Sequence, residues 1–451
     1  GFDEALAAER KLFEKLVVGD QSKAQRHLFF AEREAARVEG IGKDVKPREI
    51  RKAAIIGAGT MGGGIAMAFV NGGIPVTILE MNKEALDRGL GVIDKNYGIS
   101  VSRGSLSPEA HKKRMALFTP TTSYDDLADA DIIIEAVFEE MAVKKEVFTK
   151  LDKIAKPDAI LASNTSYLNI DEIAAMTKRP QDVLGLHFFS PANVMKLLEI
   201  VRGRNTAPDV IATALATAKR IGKVPVVVGV CHGFVGNRML GARNEDSESL
   251  LLEGASPEQV DKVFTDFGWP MGPFAMWDLA GLDIGWRNRK AQGKTAVIAD
   301  ALCEQGRYGQ KTGRGVYIYE KGSRTPTPDP EVARLIEDKA RERGIERRNI
   351  SAEEITERTL YPMINEGARI LEEKIAARPS DIDIVWTNGY GFPIGKGGPM
   401  FWADLTGLRK IVERLDYWHA KTGKAVFAPA PLLKRLAAEG KTFSSLQASK
   451  A

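Results

Sequence analysis

Cysteine and histidine are scarce in this sequence, which limits the redox and metal chemistry available to it. The 451 residues include two cysteines, Cys231 and Cys303, and five histidines. The cysteines lie far apart and lack CxxC spacing, so the sequence predicts neither a disulfide framework nor a zinc knuckle. Four histidines show no metal-ligand spacing and are expected at the surface: His27, His111, His232 and His419. We therefore expect no bound metal.

Long hydrophobic runs and an excess of one charge are also missing. No apolar run approaches the ~18 residues of a membrane-spanning helix, so no span is predicted. The 64 basic and 60 acidic residues are scattered along the chain and leave a net charge of +4. Because they form no basic stripe, we expect no nucleic-acid partner. A small anionic ligand remains compatible with this balance.

Neither end of the sequence carries a recognisable targeting signal. The first residues, "GFDEALAAERKLFEKLVVG", show neither a charged-then-apolar signal peptide nor an Arg/Ser-rich transit pattern. The last residues, "SSLQASKA", differ from the SKL tripeptide that directs proteins to peroxisomes. These observations, with the low cysteine content, predict a cytoplasmic location.

Short apolar segments alternate with amphipathic stretches in the first half of the chain. The segments are "AAIIGAG", "VTILE", "ADIIIEAV", "AILASN", "VLGLHFF" and "VPVVVG". This alternation predicts an α/β Rossmann-type domain with a doubly wound parallel sheet, followed by mostly helical sequence. The predicted segments are a helical linker over 1–48, the sheet domain over 49–230, and two helical domains over 231–325 and 326–451.

The two helical segments contain an internal repeat. Val260-Asp261 and the following "FGWPMGPFAMWDLAGL" align with Ile382-Asp383 and the following "YGFPIGKGGPMFWADLTGL". Glycines and prolines match in order after one small insertion, with Gly268 falling on Gly391. We interpret the segments as two copies of one domain. The alternative is two unrelated helical hairpins with similar turn residues.

A glycine-rich loop follows the first apolar segment and precedes a helix. In this GxGxxG pattern the first glycine permits a tight turn, the second admits a pyrophosphate and the third allows close helix packing. The predicted cofactor-binding residues of the loop are Gly57, Gly59, Thr60, Met61 and Gly62. Glu80 ends the next apolar segment, where a carboxylate can bind ribose hydroxyls and would repel a 2′-phosphate. The pattern therefore predicts NAD rather than NADP.

His187 and Glu199 lie in the oily stretch "LHFFSPANVMKLLEIV". A buried ionisable pair is costly unless its members are paired. His187 ends a predicted strand at the carboxyl edge, where open sheets of this type bind ligands. An imidazole can remove a hydroxyl proton while hydride leaves the same carbon, and a nearby carboxylate orients it. The alternative is a core histidine with an incidental acid.

Polar residues follow two further segments that face the same edge. Asn164, Thr165 and Ser166 come after "AILAS", and we expect Asn164 to contact the cofactor. Such residues also serve as ordinary helix caps, which leaves a structural role open. Asn237 and Arg238, in "HGFVGNRML", begin the helical region and could reach across the cleft.

These motifs together resemble the L-3-hydroxyacyl-CoA dehydrogenase family. The resemblance is carried by "GAGTMGGGIA", "EAVFEEMAVKKEVF", "SNTS", "HFFSPANVMKLLEIV", "GFVGNRM", "GWPMGP" and "KTGRGVYIY". The duplicated end is similar to the multifunctional fatty-acid oxidation proteins that fuse this enzyme behind an enoyl-CoA hydratase/isomerase. Residues 1–48 then resemble the last part of that upstream half.

The resemblance implies a role for each matching residue. His187 would be the catalytic base, Glu199 its partner, and Ser166 and Asn237 hydrogen-bonding groups near the substrate oxygen and the imidazole. The residues implied in binding are Glu139 and Lys144 for the ribose and nicotinamide side of NAD, and Arg103 for the CoA phosphate. The implied reaction is reversible oxidation of an L-3-hydroxyacyl-CoA to the 3-ketoacyl-CoA in β-oxidation.

Single-function relatives in this family dimerise through the helical domain. A tandem duplicate could bury the same surface within one chain, so we expect a monomer that folds as a pseudo-dimer. The resemblance also allows a thiolase partner in a larger complex. Two other interpretations of function stay open: a related NAD-dependent hydroxy-acid or sugar-acid dehydrogenase, and a non-catalytic NAD-binding scaffold module.

Overall fold

The computed structural model describes residues 1–42 and 44–448, and it begins with two helices. These are α1 (Phe2–Val17) and α2 (Asp20–Ala35). Helix α1 buries none of its residues, whereas α2 buries Ala24, Leu28 and Ala31 among others. Since these positions recur at helical spacing, α2 has one apolar face that packs on the rest of the molecule.

An eight-stranded sheet with helices on both faces follows. Its elements are β1 (Ala53–Ile56), α3 (Thr60–Asn71), β2 (Val76–Leu79), α4 (Lys83–Ser102), α5 (Pro108–Met115), β3 (Phe118–Thr121), β4 (Ile132–Glu135), α6 (Met141–Ile154), β5 (Ile160–Ser163), α7 (Ile170–Ala174), β6 (Val183–Phe188), β7 (Leu197–Val201), α8 (Pro208–Arg220) and β8 (Val224–Val228). The strand order is 3-2-1-4-5-6-7-8. The first six positions reproduce the doubly wound order of dinucleotide-binding domains, which confirms the predicted fold class.

One part of the sheet differs from the predicted all-parallel arrangement. Strand β7 runs antiparallel to β6, and β8 runs parallel to β7. The reason is the connection: eight residues join β6 to β7, which is too short for the helical crossover that parallel neighbours require. The reversal places the end of β6 beside the middle of β7.

The strands are apolar throughout because both faces of the sheet are covered. In β1, Ala54 and Ile56 belong to the core on one face, and Ala53 and Ile55 belong to the core on the other. This alternation follows from the two-residue period of a strand. The carboxyl ends of the parallel strands β1, β4, β5 and β6 lie at one edge, where the glycine loop follows β1 and Asn164 follows β5.

The rest of the chain is helical. Its helices are α9 (Gly236–Asn244), α10 (Ser247–Glu253), α11 (Pro257–Phe267), α12 (Pro273–Ala280), α13 (Leu282–Ala291), α14 (Ile298–Glu304), α15 (Pro330–Glu342), α16 (Ala352–Glu372), α17 (Pro379–Gly389), α18 (Pro399–Thr406), α19 (Leu408–Thr422), α20 (Pro431–Ala438) and α21 (Ser445–Ala448). Short 3₁₀ turns occupy Tyr124–Leu127, Pro180–Asp182, Gln310–Thr312, Ile394–Lys396 and Ala425–Phe427. No helix in the described ranges is both long and apolar enough to span a bilayer.

The two repeat copies share a buried aspartate with the same structural task. The Asp261 carboxylate accepts hydrogen bonds from the backbone N–H groups of Phe274 and Ala275, the second and third residues of α12, both at 2.9 Å. Asp383 accepts from the same two positions of α18, at 2.7 and 3.4 Å. Each aspartate therefore satisfies the otherwise unpaired amides at the start of the following helix.

The two copies meet along α9 and α16, and α2 packs against α17. Arg238 on α9 pairs with Glu366 on α16 and with Glu373, which directly follows α16, each at 2.6 Å. On the other side, the His27 imidazole lies 2.8 Å from the Asp383 carboxylate and its side chain is 16% exposed. The expectation that His27 is a surface residue is wrong, because α2 is not an isolated helix but covers the second copy.

Candidate active site

The glycine loop between β1 and α3 leaves open space beside its backbone. Gly57 has a φ of +103°, a conformation that side chains rarely adopt, and a Cβ there would lie 2.9 Å from the Ala136 carbonyl oxygen. A Cβ on Gly62 would overlap the Gly57 carbonyl. At Gly59, by contrast, a Cβ would meet no atom within 4 Å. The loop thus exposes backbone N–H groups at a helix N-terminus, which suits a pyrophosphate.

Glu80 lies beside this loop, at the end of β2. Its Oε2 accepts a hydrogen bond of 3.1 Å from the backbone N–H of Ala58. Glu80, Gly59 and Thr60 line a cleft of about 440 Å³, whereas Met61 is half-buried in the first turn of α3 and does not line it. Arg88, which belongs to no recognisable sequence motif, also lines this cleft from α4.

His187 and Glu199 are direct cross-strand partners in β6 and β7. The His187 Nδ1 lies 2.7 Å from Glu199 Oε2, and the two side chains are 4% and 0% exposed. Because the carboxylate accepts at Nδ1, the proton of the neutral imidazole sits on that nitrogen and Nε2 carries the lone pair. The antiparallel pairing of β7 with β6 brings these side chains together, because residues directly opposite one another in antiparallel strands have adjacent side chains.

The other oxygen of Glu199 holds the start of α9. Oε1 accepts hydrogen bonds from the backbone N–H groups of Val235, at 3.2 Å, and Gly236, at 3.0 Å. A carboxylate at a helix N-terminus is stabilised by those amides and by the helix dipole. Glu199 therefore fixes the imidazole of one domain and the first turn of the next with a single carboxylate.

Asn164 and Ser166 follow β5 at the same edge. The Asn164 Oδ1 accepts a hydrogen bond of 2.9 Å from the backbone N–H of Phe188, beside His187. The Ser166 backbone N–H donates to Glu139 Oε1 at 2.8 Å. From across the cleft, Asn237 Nδ2 lies 3.5 Å from the Ser166 carbonyl oxygen. The structure thus brings together several residues that the sequence singled out: His187, Glu199, Asn164, Ser166, Glu139 and Asn237.

Lys144 is buried in an ionic network beneath this loop, and Glu139 joins that network from the surface. The Lys144 Nζ lies 2.6 Å from Glu135 Oε1 and 3.4 Å from Glu139 Oε2, and its side chain is 1% exposed. Glu135 also accepts a hydrogen bond of 2.7 Å from the Ser163 hydroxyl. The visible contacts of Lys144 are therefore with the protein, and its contact with NAD stays a prediction. Nothing in the sequence marked Glu135 as the buried partner of Lys144, because an acid at the end of an apolar strand is not a recognisable motif.

Arg103 is remote from these groups. It caps the carboxyl end of α4 and is exposed. Gly89, in the first half of α4, packs against Ala58 of the glycine loop, and the rest of the helix carries the chain about 20 Å farther to Arg103. The structure does not bring Arg103 to the His187–Glu199 pair, which we call the dyad, and the role of Arg103 toward a CoA phosphate stays a prediction. Within residues 1–42 and 44–448 no group of three or more His, Cys, Asp or Glu residues is arranged to hold a metal ion.

Beyond the dyad, a cleft of about 620 Å³ runs between the sheet domain and the helices. Tyr167, His232 and Asn237 line its inner part, and Glu366 and Arg369 of α16 line its far side. A second cleft of about 740 Å³ adjoins it and shares Tyr167 and His232. Asn237, whose amide lies 3.5 Å from the Ser166 carbonyl oxygen, thus lines a cleft between the sheet domain and the helices.

Models of two families together match most of the chain. Residues 52–231 match the 3-hydroxyacyl-CoA dehydrogenase NAD binding domain. Residues 233–319 and 355–445 each match the 3-hydroxyacyl-CoA dehydrogenase C-terminal domain. The expected cofactor, NAD, is confirmed by the first match, and the second match agrees with the repeat seen in the sequence.

Known proteins resemble the chain over most of its length. The peroxisomal bifunctional enzymes of Danio rerio and Homo sapiens are 44% and 41% identical to it, over 97% of this chain and 64% of theirs. The chain thus spans less than two thirds of the length of these relatives. Their names overturn the cytoplasmic location expected from the sequence and point to peroxisomes instead. That expectation failed because it rested on the two ends of a chain that covers only part of its relatives.

Solved structures give the same result. The dehydrogenase part of multifunctional enzyme 1 from C. elegans is 33% identical, with a TM-score of 0.68 over 91% of this chain and 96% of that one. The 3-hydroxybutyryl-CoA dehydrogenase of Escherichia coli K12 is 27% identical, with a TM-score of 0.76 over 87% of this chain and 99% of that one. The chain belongs to the 3-hydroxyacyl-CoA dehydrogenase family of NAD-dependent oxidoreductases.

Proposed function

We propose that the chain catalyses reversible oxidation of an L-3-hydroxyacyl-CoA to the 3-ketoacyl-CoA in fatty-acid β-oxidation, with hydride passing to NAD. The observation that carries this proposal is the buried His187–Glu199 pair, with Nδ1 and Oε2 2.7 Å apart at the edge of a nucleotide-binding sheet. NAD, when bound, accepts hydride from C3 of the substrate.

The remaining steps belong to side chains of this protein. The Nε2 lone pair of His187 takes the proton of the substrate hydroxyl as hydride leaves the same carbon. Glu199 stabilises the imidazolium that forms and keeps Nε2 turned toward the cleft. Ser166 and Asn237 are assigned to hydrogen bonds with the substrate oxygen, which stabilise charge on it during the transfer.

Binding roles follow from the same placement. Gly57, Gly59 and Gly62 would receive the pyrophosphate of NAD, and Glu80 would accept hydrogen bonds from a ribose. Their neighbours in the proposed cofactor site are Thr60, Met61, Glu139, Lys144 and Asn164. Arg103 is kept as a candidate for the CoA phosphate on the strength of the family resemblance alone.

The chain architecture supports a monomer built as a pseudo-dimer. The α9–α16 contact, with Arg238 held by Glu366 and Glu373, joins the two copies within one chain. We assign residues 1–48 to the linker from an upstream hydratase/isomerase half, 49–230 to the NAD-binding domain, and 231–325 and 326–451 to the two helical copies. A thiolase partner is an expectation from the multifunctional relatives.

The test is consumption of NADH with acetoacetyl-CoA as substrate. The proposal expects turnover with acetoacetyl-CoA and a strong preference for NADH over NADPH. Turnover with short keto acids, the oxidised forms of hydroxy acids, but not with the acyl-CoA would support a related hydroxy-acid dehydrogenase instead. NADH binding without turnover of either substrate class would support a scaffold module, and both outcomes would reject the proposed reaction.

A further inference from the structure

Tyr390 of the second repeat copy reaches into the candidate active site of the first. It directly follows α17, and its hydroxyl donates a hydrogen bond of 2.8 Å to Asn237 Oδ1. The other end of the same amide, Nδ2, faces the Ser166 carbonyl oxygen at 3.5 Å. Since a carbonyl only accepts and the tyrosine hydroxyl donates here, the two contacts define one orientation of the Asn237 amide.

The Tyr390 ring is held from several sides. Its edge meets Phe189, with ring centroids 5.4 Å apart, and Phe189 in turn lies against the His187 imidazole at 4.4 Å. A Cβ on Gly236 would overlap the Tyr390 ring, so the glycine before Asn237 is required by this contact. The Trp269 indole N–H donates to the Tyr390 carbonyl oxygen at 3.1 Å. The hydroxyl therefore has a fixed place.

The repeat makes this contact one-sided. In the alignment that matches Gly268 with Gly391, the residue corresponding to Tyr390 in the first copy is Phe267, which has no hydroxyl. The alignment that matches Val260-Asp261 with Ile382-Asp383 places Thr359 at the position of Asn237. The Tyr390–Asn237 contact thus joins a hydroxyl to an amide, whereas the corresponding residues of the repeat are Phe267 and Thr359. General packing between the copies would not need this difference.

We propose that Tyr390 is a positioning residue for the dehydrogenase reaction: it fixes the Asn237 amide with its N–H groups toward the substrate cleft. The inference rests on the proposed function. Without the Tyr390 hydroxyl, only the 3.5 Å contact with the Ser166 carbonyl would oppose a half-turn of the Asn237 amide, which would present an acceptor to the substrate oxygen. The second copy then contributes to catalysis and is more than a structural cover for the first.

The hydroxyl remains a donor under working conditions. Burial raises the pKa of Tyr390 well above its ordinary value, and the nearby Glu199 carboxylate adds to the rise, while Arg243 opposes it. Tyr167 also faces this hydroxyl and raises its pKa. At neutral pH the phenol therefore keeps the proton that it donates to Asn237.

Tyr390→Phe tests the inference because it removes the hydroxyl and retains the ring. In single-turnover oxidation of NADH with saturating acetoacetyl-CoA, we expect a rate about five- to tenfold below that of the wild type, the effect of one lost neutral hydrogen bond. The dissociation constant of NADH should stay unchanged. Tyr317→Phe is the matched control, since its hydroxyl also makes a 2.8 Å hydrogen bond in the helical region, to Asp261, but lies outside the site.

A double-mutant comparison separates positioning from simple packing. In an Asn237→Ala background, adding Tyr390→Phe should change the rate less than about twofold, because the group that Tyr390 positions is already gone. An equal loss in both backgrounds would overturn the inference, as would a Tyr390→Phe rate within about twofold of the wild type. A wild-type chain that fails to oxidise NADH with acetoacetyl-CoA would instead reject the proposed function itself.

Discussion

His27 meets Asp383 in the second copy as Tyr317 meets Asp261 in the first. The His27 Nε2 and the Tyr317 hydroxyl each lie 2.8 Å from the Oδ2 atom of their aspartate. Asp404 of the second copy corresponds to Asp278 of the first. The backbone N–H of Ser444 donates to Asp404, as that of Tyr317 donates to Asp278, so the residue corresponding to Tyr317 is a serine. Helix α2 therefore supplies from outside the repeat the donor that the second copy lacks.

Replacing His27 by alanine should destabilise the protein. Burial raises the pKa of Asp383 to about 6, and His27 opposes the rise. A raised carboxyl pKa favours the folded state at low pH, and this contribution to stability is lost as the pH rises through about 6. Above that pH Asp383 is ionised and buried, so the loss of its His27 partner destabilises the folded state most there. We expect a loss of about 2–3 kcal/mol in the free energy of unfolding by urea near pH 7.5.

The matched control for this variant is His111→Ala. The His111 Nε2 also lies 2.8 Å from a carboxylate, that of Asp94, but the Asp94 side chain is 60% exposed. Its loss should cost less than about 1 kcal/mol. Equal effects of the two substitutions would contradict the assignment of α2 to the second copy.

Tyr317→Phe should destabilise the protein more at high pH than at low pH. Burial raises the pKa of Asp261 to about 6 from an ordinary 3.8, and the Tyr317 hydroxyl lowers it. Below that pKa the hydroxyl serves a neutral carboxyl, and above it an ionised one, to which hydrogen bonds are stronger. We expect the loss of unfolding free energy to be about 1 kcal/mol larger near pH 7.5 than near pH 5. A pH-independent loss would contradict the raised pKa.

Glu80→Ala should weaken NADH binding and narrow the preference for NADH over NADPH. The substitution removes both a ribose acceptor and a negative charge that repels a 2′-phosphate. Isothermal titration of both cofactors measures the ratio of dissociation constants. Glu84→Ala, an exposed acid in the first turn of α4, is the control and should leave the ratio unchanged. An unchanged ratio in Glu80→Ala would remove Glu80 from the ribose site.

Truncation after Glu320 should produce aggregation or a new dimer. It removes α16, against which α9 packs, and leaves Arg238 without the two carboxylates that bind it. The exposed face would carry apolar side chains such as Met239, which is fully buried in the intact chain. Light scattering measures the outcome. A well-behaved monomer after truncation, or a stable homodimer of the intact chain through this face, would contradict the pseudo-dimer.

Features written locally in the chain were predictable from the sequence. The loop from Gly57 to Gly62 lies between an apolar strand and a helix, and a side chain at Gly57 or Gly62 would overlap neighbouring backbone atoms. The repeat was also visible, because turn glycines and helix-starting prolines keep their order. Glycines in turns and prolines at helix starts are recognisable in the sequence because local backbone geometry alone favours these residue types there.

Contacts made at long range were not predictable. Tyr390 lies 153 residues from Asn237, and His27 lies 356 residues from Asp383. Neither residue type signals such a partner, since tyrosine and histidine occur in many cores and surfaces. Strand β7 shows the intermediate case. Its apolar run was visible, but its direction depended on the short connection from β6 and hence on the packing of the whole sheet.

Single-turnover kinetics of His187→Gln show whether His187 is the base of the dehydrogenase reaction. We predict a rate of NADH oxidation with acetoacetyl-CoA about 10²–10⁴-fold below the wild type, the range of a positioned acid–base group. NADH affinity and unfolding free energy should stay close to wild type, and His111→Gln should retain full rate. A His187→Gln rate within about tenfold of the wild type, or an equally large loss of NADH binding, would contradict the account.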